Sequence, residues 1–256
     1  MTAPVLSERL QAVADMVPRC RSAADIGTDH GYIPIYLVSS GSADRAAAAD
    51  LRPGPLSAAE ANIKARGLSD RISLRLSDGL GNISPEEAEV IVIAGMGGML
   101  TVKILTEGRE LMKSAKACVL EPQSDLGSVR SFLFAEGMSI TAEKMVFDAG
   151  KYYTVIRAEF AGPERAAAEA AAYSRADLSY GKLLIDSGDR VLEEKLEAGK
   201  QKTLSILDPL EKAADGDLPG NPRTEERMRE LKEELRDIEE ALSRIRSSRC
   251  KEGEKP

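Results

Sequence analysis

Residues Ala23–Pro34 read A-A-D-I-G-T-D-H-G-Y-I-P, a short apolar run closed by an acid, two glycines and then aliphatic residues. The pattern predicts a strand over Ser22–Ile26, a tight turn, and a helix over Tyr32–Ser39 with Gly41 just beyond its end. At such a turn a ligand can approach the backbone closely, because glycine tolerates positive φ and carries no side chain. A dinucleotide turn, G-x-G-x-x-G, uses its middle glycine to admit a pyrophosphate facing the helix N-terminus. Here that position is Asp29, whose carboxylate would repel the phosphates, so NAD and FAD are disfavoured. S-adenosylmethionine (SAM) has no phosphate and carries a sulfonium and an ammonium, so Asp25 and Asp29 are compatible with it. Taken alone, D-x-G-x-x-x-G also fits any ordinary strand-to-helix turn.

Upstream, Leu6, Leu10, Val13 and Val17 recur at helical spacing between a capping Ser7 and Pro18, predicting a helix that covers one edge of a sheet. Downstream, Ala46–Ala49 has helical propensity, but its place between two helices and its acidic end at Asp50 read as a second strand. Asp50 lies about twenty residues past the glycine turn, where nucleoside-binding Rossmann domains keep a ribose-binding acid; a plain loop acid is the alternative. A helix over Pro55–Arg66 ends at Gly67, and Ile72, Leu74 and Leu76 alternate as a third strand. Ser77-Asp78-Gly79-Leu80 then places Asp78 on the same carboxyl edge as Gly27 and Asp50. Val90–Ala94 is a β-branched run suited to a central parallel strand. It meets Gly95-Met96-Gly97-Gly98, whose glycines again suggest close approach by a ligand. Ala117–Leu120 reads as a strand ending in Glu121-Pro122-Gln123-Ser124, and Ser128–Glu136 as a helix. Ser139–Phe147 and Tyr152–Phe160 form a hairpin around Asp148–Lys151. A parallel sheet closed by an antiparallel hairpin suits a Rossmann-like methyltransferase and not an NAD domain, which is a second pointer to SAM.

The 256-residue chain, 43% hydrophobic and 30% charged, has the composition of a soluble globular protein with one ordinary domain and an appendage. Its net charge of −7 offers no global attraction to nucleic acid, so an RNA would be held by a local set such as Arg130, Arg175, Lys182 and Lys200. Cys20, Cys118 and Cys250 are far apart and only one His is present, so neither a disulfide framework nor a metal site is expected. Neither a signal peptide nor an apolar run of about 18 residues is seen, which predicts a cytoplasmic protein with no membrane segment.

From Gly162 the composition shifts to Ala, Glu, Lys, Arg and Leu. Met228, Leu231, Leu235, Ile238, Leu242 and Ile245 form an a/d seam, matched upstream by Leu192, Leu196, Thr203, Ile206 and Leu210 with Gly199 at the vacant position. Asp215–Pro222 breaks the two helices apart and Thr224 is placed to cap the second. The expected organisation is a SAM-binding Rossmann-like domain over 1–161, a helical coiled-coil hairpin over 162–250 and a tail over 251–256. The hairpin pattern serves equally for a dimerisation or packing arm and for a substrate-binding arm.

In order and spacing, D-I-G-T-D-H-G-Y-I-P, D-L-R-P-G-P-L-S-A-A-E-A-N, S-D-G-L, I-A-G-M-G-G, L-E-P-Q and G-K-Y-Y resemble the bacterial tRNA (adenine-22-N1)-methyltransferase family. A C-terminal helical hairpin is also a feature of that family. The resemblance implies a SAM-dependent enzyme that methylates N1 of an adenine in the tRNA D-arm. It implies a cofactor held by Asp25, Gly27, Asp29, His30 and Gly31 at the turn, by Asp50 and Leu51 at the ribose, and by Asp78 and Gly79 at the cofactor's adenine. Ala94, Gly95 and Met96 would line the methyl-transfer edge. Asp29, Gln123 and Tyr32 are the catalytic candidates. Asp29 would accept from the adenine N6 amino group or else bind the methionine moiety, Gln123 would meet the base edge, and Tyr32 or Tyr153 would stack on it. Where the family usually has L-Q-P-N this chain has Leu120-Glu121-Pro122-Gln123, and Ser77 replaces the first glycine of a G-D-G. Two rival readings are a SAM-dependent methyltransferase of a small molecule or protein, and a non-catalytic SAM-binding module whose hairpin recruits a partner.

Overall fold

Ser7 starts the first helix as its position predicts: its hydroxyl accepts the Leu10 N–H at 3.4 Å, and α1 runs Glu8–Met16. The computed structural model describes residues 3–214 and 222–253, in two compact units, Met1–Ala172 and Tyr173–Pro256. In the first unit, α1 is followed by β1 (Cys20–Ile26), α2 (Tyr32–Ser40), β2 (Ala43–Asp50), α3 (Pro53–Ala65) and β3 (Ile72–Leu76). Next come β4 (Val90–Met96), α4 (Gly98–Glu107), α5 (Arg109–Ser114), β5 (Ala117–Pro122) and α6 (Leu126–Ala135). The hairpin β6 (Met138–Asp148) and β7 (Lys151–Phe160) and the helix α7 (Pro163–Ala170) complete it. The unit therefore extends past the expected boundary at 161, because α7 packs back on α6 and β6 and Glu169 accepts the Ile140 N–H at 3.2 Å.

One seven-stranded sheet has the order β3-β2-β1-β4-β5-β7-β6. It is parallel from β3 to β5, and β7 runs antiparallel to β5 and β6. This is the Rossmann-like sheet closed by a hairpin that the sequence predicts. The chain steps outward from β1 to β3 and then returns to lay β4 on the other side of β1. At such a switch point the two flanking connections diverge and leave a crevice at the carboxyl ends of the strands.

Ala46–Ala49 is strand despite its helical propensity. It pairs with Ala23–Ile26 on one side and Ile72–Arg75 on the other, and all four alanines are buried. Their small side chains let Ile35, Val38, Ala59 and Ile63 of α2 and α3 pack closely on that face. The first helix covers a face of the sheet and not an edge, because Ala12, Val13 and Val17 join Val90, Val92, Ala117 and Val119 in one core. The helices α4 and α5 were not anticipated; α4 opens at Gly98 with no side-chain cap to announce it.

The second unit holds α8 (Arg175–Tyr180), α9 (Lys182–Asp186), α10 (Arg190–Ala214) and α11 (Pro222–Gly253). The ion pairs Glu193–Arg249, Lys200–Glu239 and Glu211–Lys232 climb one long helix while descending the other, so α10 and α11 are antiparallel. Leu192, Leu196 and Thr203 are buried on α10, and Leu231, Ile238, Leu242 and Ile245 on α11. A Cβ on Gly199 would lie 3.7 Å from Ile238 Cδ1, so the vacant seam position is filled from across the pair. Beyond Thr203 the expected register gives way: Leu207 is 4% exposed and Ile206 38%. A four-residue step there follows the 3.6-residue helix, which drifts from a strict 3.5 repeat. Of the expected breaker, Asp215–Pro222, residues 215–221 lie outside the described residues, and Pro222 already belongs to α11. Because α11 already runs from Pro222, Thr224 lies inside the helix and is not its cap.

The cations expected to hold RNA are committed elsewhere. Arg175 binds Asp237 and Glu233, Lys182 binds Asp186, and Lys200 binds Glu239. Arg130 is fully buried on α6, with its Nε and Nη2 each 2.8 Å from Glu143 Oε1 on β6, and its partner's side chain is equally sealed. It is therefore a tie between helix and sheet and not a surface contact. Removing one member of such a pair strands a buried charge, so Glu143→Ala should lower the unfolding free energy by about 3–5 kcal/mol in urea titrations. A loss below about 1 kcal/mol, the scale of a surface pair, would contradict that reading.

Candidate active site

The turn after β1 is fastened by backbone. Gly27 N–H and Thr28 N–H both donate to the Ala49 carbonyl, at 2.8 and 2.9 Å, and Ser77 N–H donates to the Asp50 carbonyl at 3.0 Å. Gly27 has φ +79°, which a side chain disfavours, and a Cβ there would lie 2.1 Å from Met96 Cε. The ends of β1, β2 and β3 thus form one continuous rim.

A cavity of about 350 Å³ opens at the carboxyl ends of β1 and β4, at the switch point. Asp25, Gly27, Asp29, His30 and Tyr32 bound it from the turn, Ala94 and Gly95 from β4, and Gln123 from the loop after β5. These eight were read from the sequence. Arg9 and Leu10 of α1, with Thr28 and Ile33, complete the wall and were not. Thr28 was legible as the residue beside Gly27. Arg9 carried no local signal, because its neighbours in space are more than a hundred residues away.

The other expected cofactor residues lie outside this cavity. Asp50 is nearly buried and accepts the Arg52 N–H at 2.7 Å, whereas Asp78 is exposed. Leu51 and Leu76 present apolar surface at the ends of β2 and β3, 62% and 57% exposed. Two glycines expected beside the ligand also have packing partners. A Cβ on Gly31 would stand 3.2 Å from Ala59 Cβ, and one on Gly79 would stand 3.1 Å from Ile104 Cγ2. Met96 points its thioether at Gly27.

Charge is arranged unevenly around the cavity. Burial pushes the Asp25 carboxyl up to about 6, with Asp50 adding to the rise and the Thr28 hydroxyl opposing it. Asp29 is 78% exposed at the mouth, 3.4 Å from His30 Nε2, and the His30 ring lies 5.4 Å from that of Tyr32. Across the cavity, Glu121 is fully buried. Burial raises its pKa, while Arg9 and the Gly95 N–H hold it down. Glu121 Oε2 accepts both Arg9 Nη1 at 2.8 Å and Gly95 N–H at 2.9 Å. Gln123 is positioned by its own N–H, which donates to the Met96 carbonyl at 2.8 Å. Next to it, Ser124 Oγ accepts the Gly98 N–H at 3.2 Å and donates to Asp125 at 2.7 Å.

These residues fit SAM. Gly27, at φ +79°, brings no side chain into the wall, and the carboxylates of Asp25 and Asp29 suit a cationic ligand. Among the described residues, no cluster of three or more His, Cys, Asp or Glu could hold a metal ion, and no helix is long and apolar enough to cross a membrane.

A family model for a methyltransferase domain matches residues 6–156. The tRNA (adenine(22)-N(1))-methyltransferase of Bacillus subtilis strain 168 is 35% identical over 240 residues, covering 94% of this chain and 96% of that one. The crystal structure of the B. subtilis m1A22 tRNA methyltransferase TrmK matches with a TM-score of 0.80 at 33% identity, over 93% of this chain and 99% of that one. Streptococcus pneumoniae Sp1610, solved in complex with S-adenosyl-L-methionine, matches with a TM-score of 0.79 at 29% identity, over 93% and 100%. The likeness spans the helical unit as well as the sheet, which a shared Rossmann domain alone would not produce. The chain belongs to the tRNA (adenine(22)-N(1))-methyltransferase family.

Proposed function

We propose that this protein transfers the methyl group of SAM to N1 of adenine 22 in the D-arm of tRNA, in the cytoplasm where tRNA is found. The observation that carries this reading is the cavity at the β1/β4 switch point, with acids on the turn side and an amide on the other, in a chain akin to this family over 94% of its length.

When bound, SAM supplies a methyl group on a positively charged sulfur. The chain's residues then have to hold and align. Asp25 and Thr28 face the cationic end and the Gly27 cradle takes the close approach. Asp50 serves the ribose hydroxyls and Asp78 the cofactor's adenine, with Leu51 and Leu76 as apolar flanks. Adenine N1 keeps its lone pair in the neutral base, so no residue must first remove a proton; the task is alignment, a proximity effect. N1 lies on the Watson–Crick edge, so the base must leave any pairing before it can enter. Gln123 and Tyr32, both exposed at the mouth, suit the base edge and its face. Methylation leaves a positive charge on the ring, which the Asp29 carboxylate would stabilise as it develops.

Labelled SAM and an unmodified tRNA transcript should yield N1-methyladenosine at position 22. Asp29→Ala should lower turnover at least tenfold, and near-normal turnover would remove Asp29 from the mechanism. Cofactor binding should also depend on pH. Below its pKa of about 6 Asp25 is neutral and offers a cation nothing; above it the carboxylate attracts. SAM affinity measured by calorimetry should therefore rise from about pH 5 to about pH 7 and then level off. Asp25→Asn should flatten that rise, and a slope that persists in the Asn variant would place the titration on another group.

A further inference from the structure

Among the described residues that line the cavity, Arg9 is the only Lys or Arg, and it is held from three directions. Its Nη1 donates to Glu121 Oε2 on β5, its guanidinium lies over the Tyr153 ring of β7 at 5.4 Å, and its backbone N–H donates to Asp148 at the end of β6 at 3.1 Å. Among the described residues, Nε and Nη2 have no protein partner, and neither is sealed from solvent; the side chain is 25% exposed. The guanidinium stands over Gly95, beside the Gln123 amide: a Cβ on Gly95 would be 3.4 Å from Arg9 Nη1 and 3.9 Å from Gln123 Nε2. An amide at position 121 could accept the Gly95 N–H with no charge to balance. A buried ion pair is no more stable than a well-matched neutral one. What the charged pair adds is a guanidinium fixed in one orientation, with two N–H-bearing nitrogens still to satisfy.

We propose that Arg9, aimed by Glu121 and Tyr153, is the oxyanion-binding residue of this cavity. This rests on the reading of the cavity as the SAM and tRNA site, and two oxyanions can reach it there: the carboxylate of the cofactor's methionine moiety, or a phosphodiester beside the target adenine. Glu121 and Tyr153 are positioning residues in this scheme, since they act through the guanidinium.

Because a buried Glu121 without Arg9 would threaten the fold, E121Q is the reference, and R9M/E121Q and R9K/E121Q are compared with it. Two quantities are read: the SAM dissociation constant by calorimetry, and the KM for a tRNA transcript over a range of salt concentrations. If the cofactor carboxylate is the ligand, R9M/E121Q should bind SAM at least tenfold more weakly than E121Q with the KM for tRNA unchanged. If a phosphodiester is the ligand, SAM affinity should hold, the KM for tRNA should rise at least fivefold, and the log–log salt slope should fall by about 1. In either case R9K/E121Q should recover part of the loss. Less than a twofold change in both quantities, or a Lys variant as impaired as the Met variant, overturns the proposal. Failure of the functional reading shows separately, as no methyl transfer to tRNA by the unmodified protein; the SAM comparison alone then decides the role of Arg9.

Discussion

Two neighbouring amides, those of Gly27 and Thr28, share the single carbonyl of Ala49, and the site depends on that fork. It ends β1 beside the end of β2, turns the chain away from the sheet and leaves Thr28 in the cavity wall. The fork works only because β2 is a strand at that point, and β2 is a strand only because β1 and β3 pair with it on both sides. Local preference for helix in a run of alanines is a matter of tenths of a kcal/mol per residue, and a sheet that recruits both edges of the segment overrides it.

What the sequence disclosed follows the same division between local and distant causes. The turn, the acid at Asp50, the β-branched run of β4 and the hairpin all announce themselves within a few residues, and each was legible. So were eight residues of the cavity wall, because strand-to-helix turns and strand ends place their own side chains. Arg9 was not, since a guanidinium in a surface helix acquires its meaning only when β5 delivers a buried Glu121 beneath it. Arg130 failed in the opposite sense: a residue type that usually faces water is sealed between helix and sheet by one carboxylate. Gly31 and Gly79, expected beside the cofactor, also pack against Ala59 and Ile104, a contact that composition cannot express. In the helical pair the heptad count carried the seam correctly until accumulated drift exchanged Ile206 for Leu207.

An acidic protein that acts on a polyanion gains little from long-range attraction. In the helical unit Arg175, Lys182, Lys200, Arg246 and Arg249 each already face a carboxylate, so these cations are committed within the protein. Recognition of RNA by such a molecule depends on fit at close range and on single well-placed cations. That gives weight to a guanidinium held open at the site itself.

Met96 has a consequence for the rate at which the site fills. Its terminal methyl rests on Gly27, in the space a side chain at that position would have claimed. An unbranched thioether moves aside by rotation about its own bonds, on the picosecond-to-nanosecond scale of partly exposed side chains, with no strand or helix displaced. Admission to the cradle is therefore a matter of one residue changing rotamer.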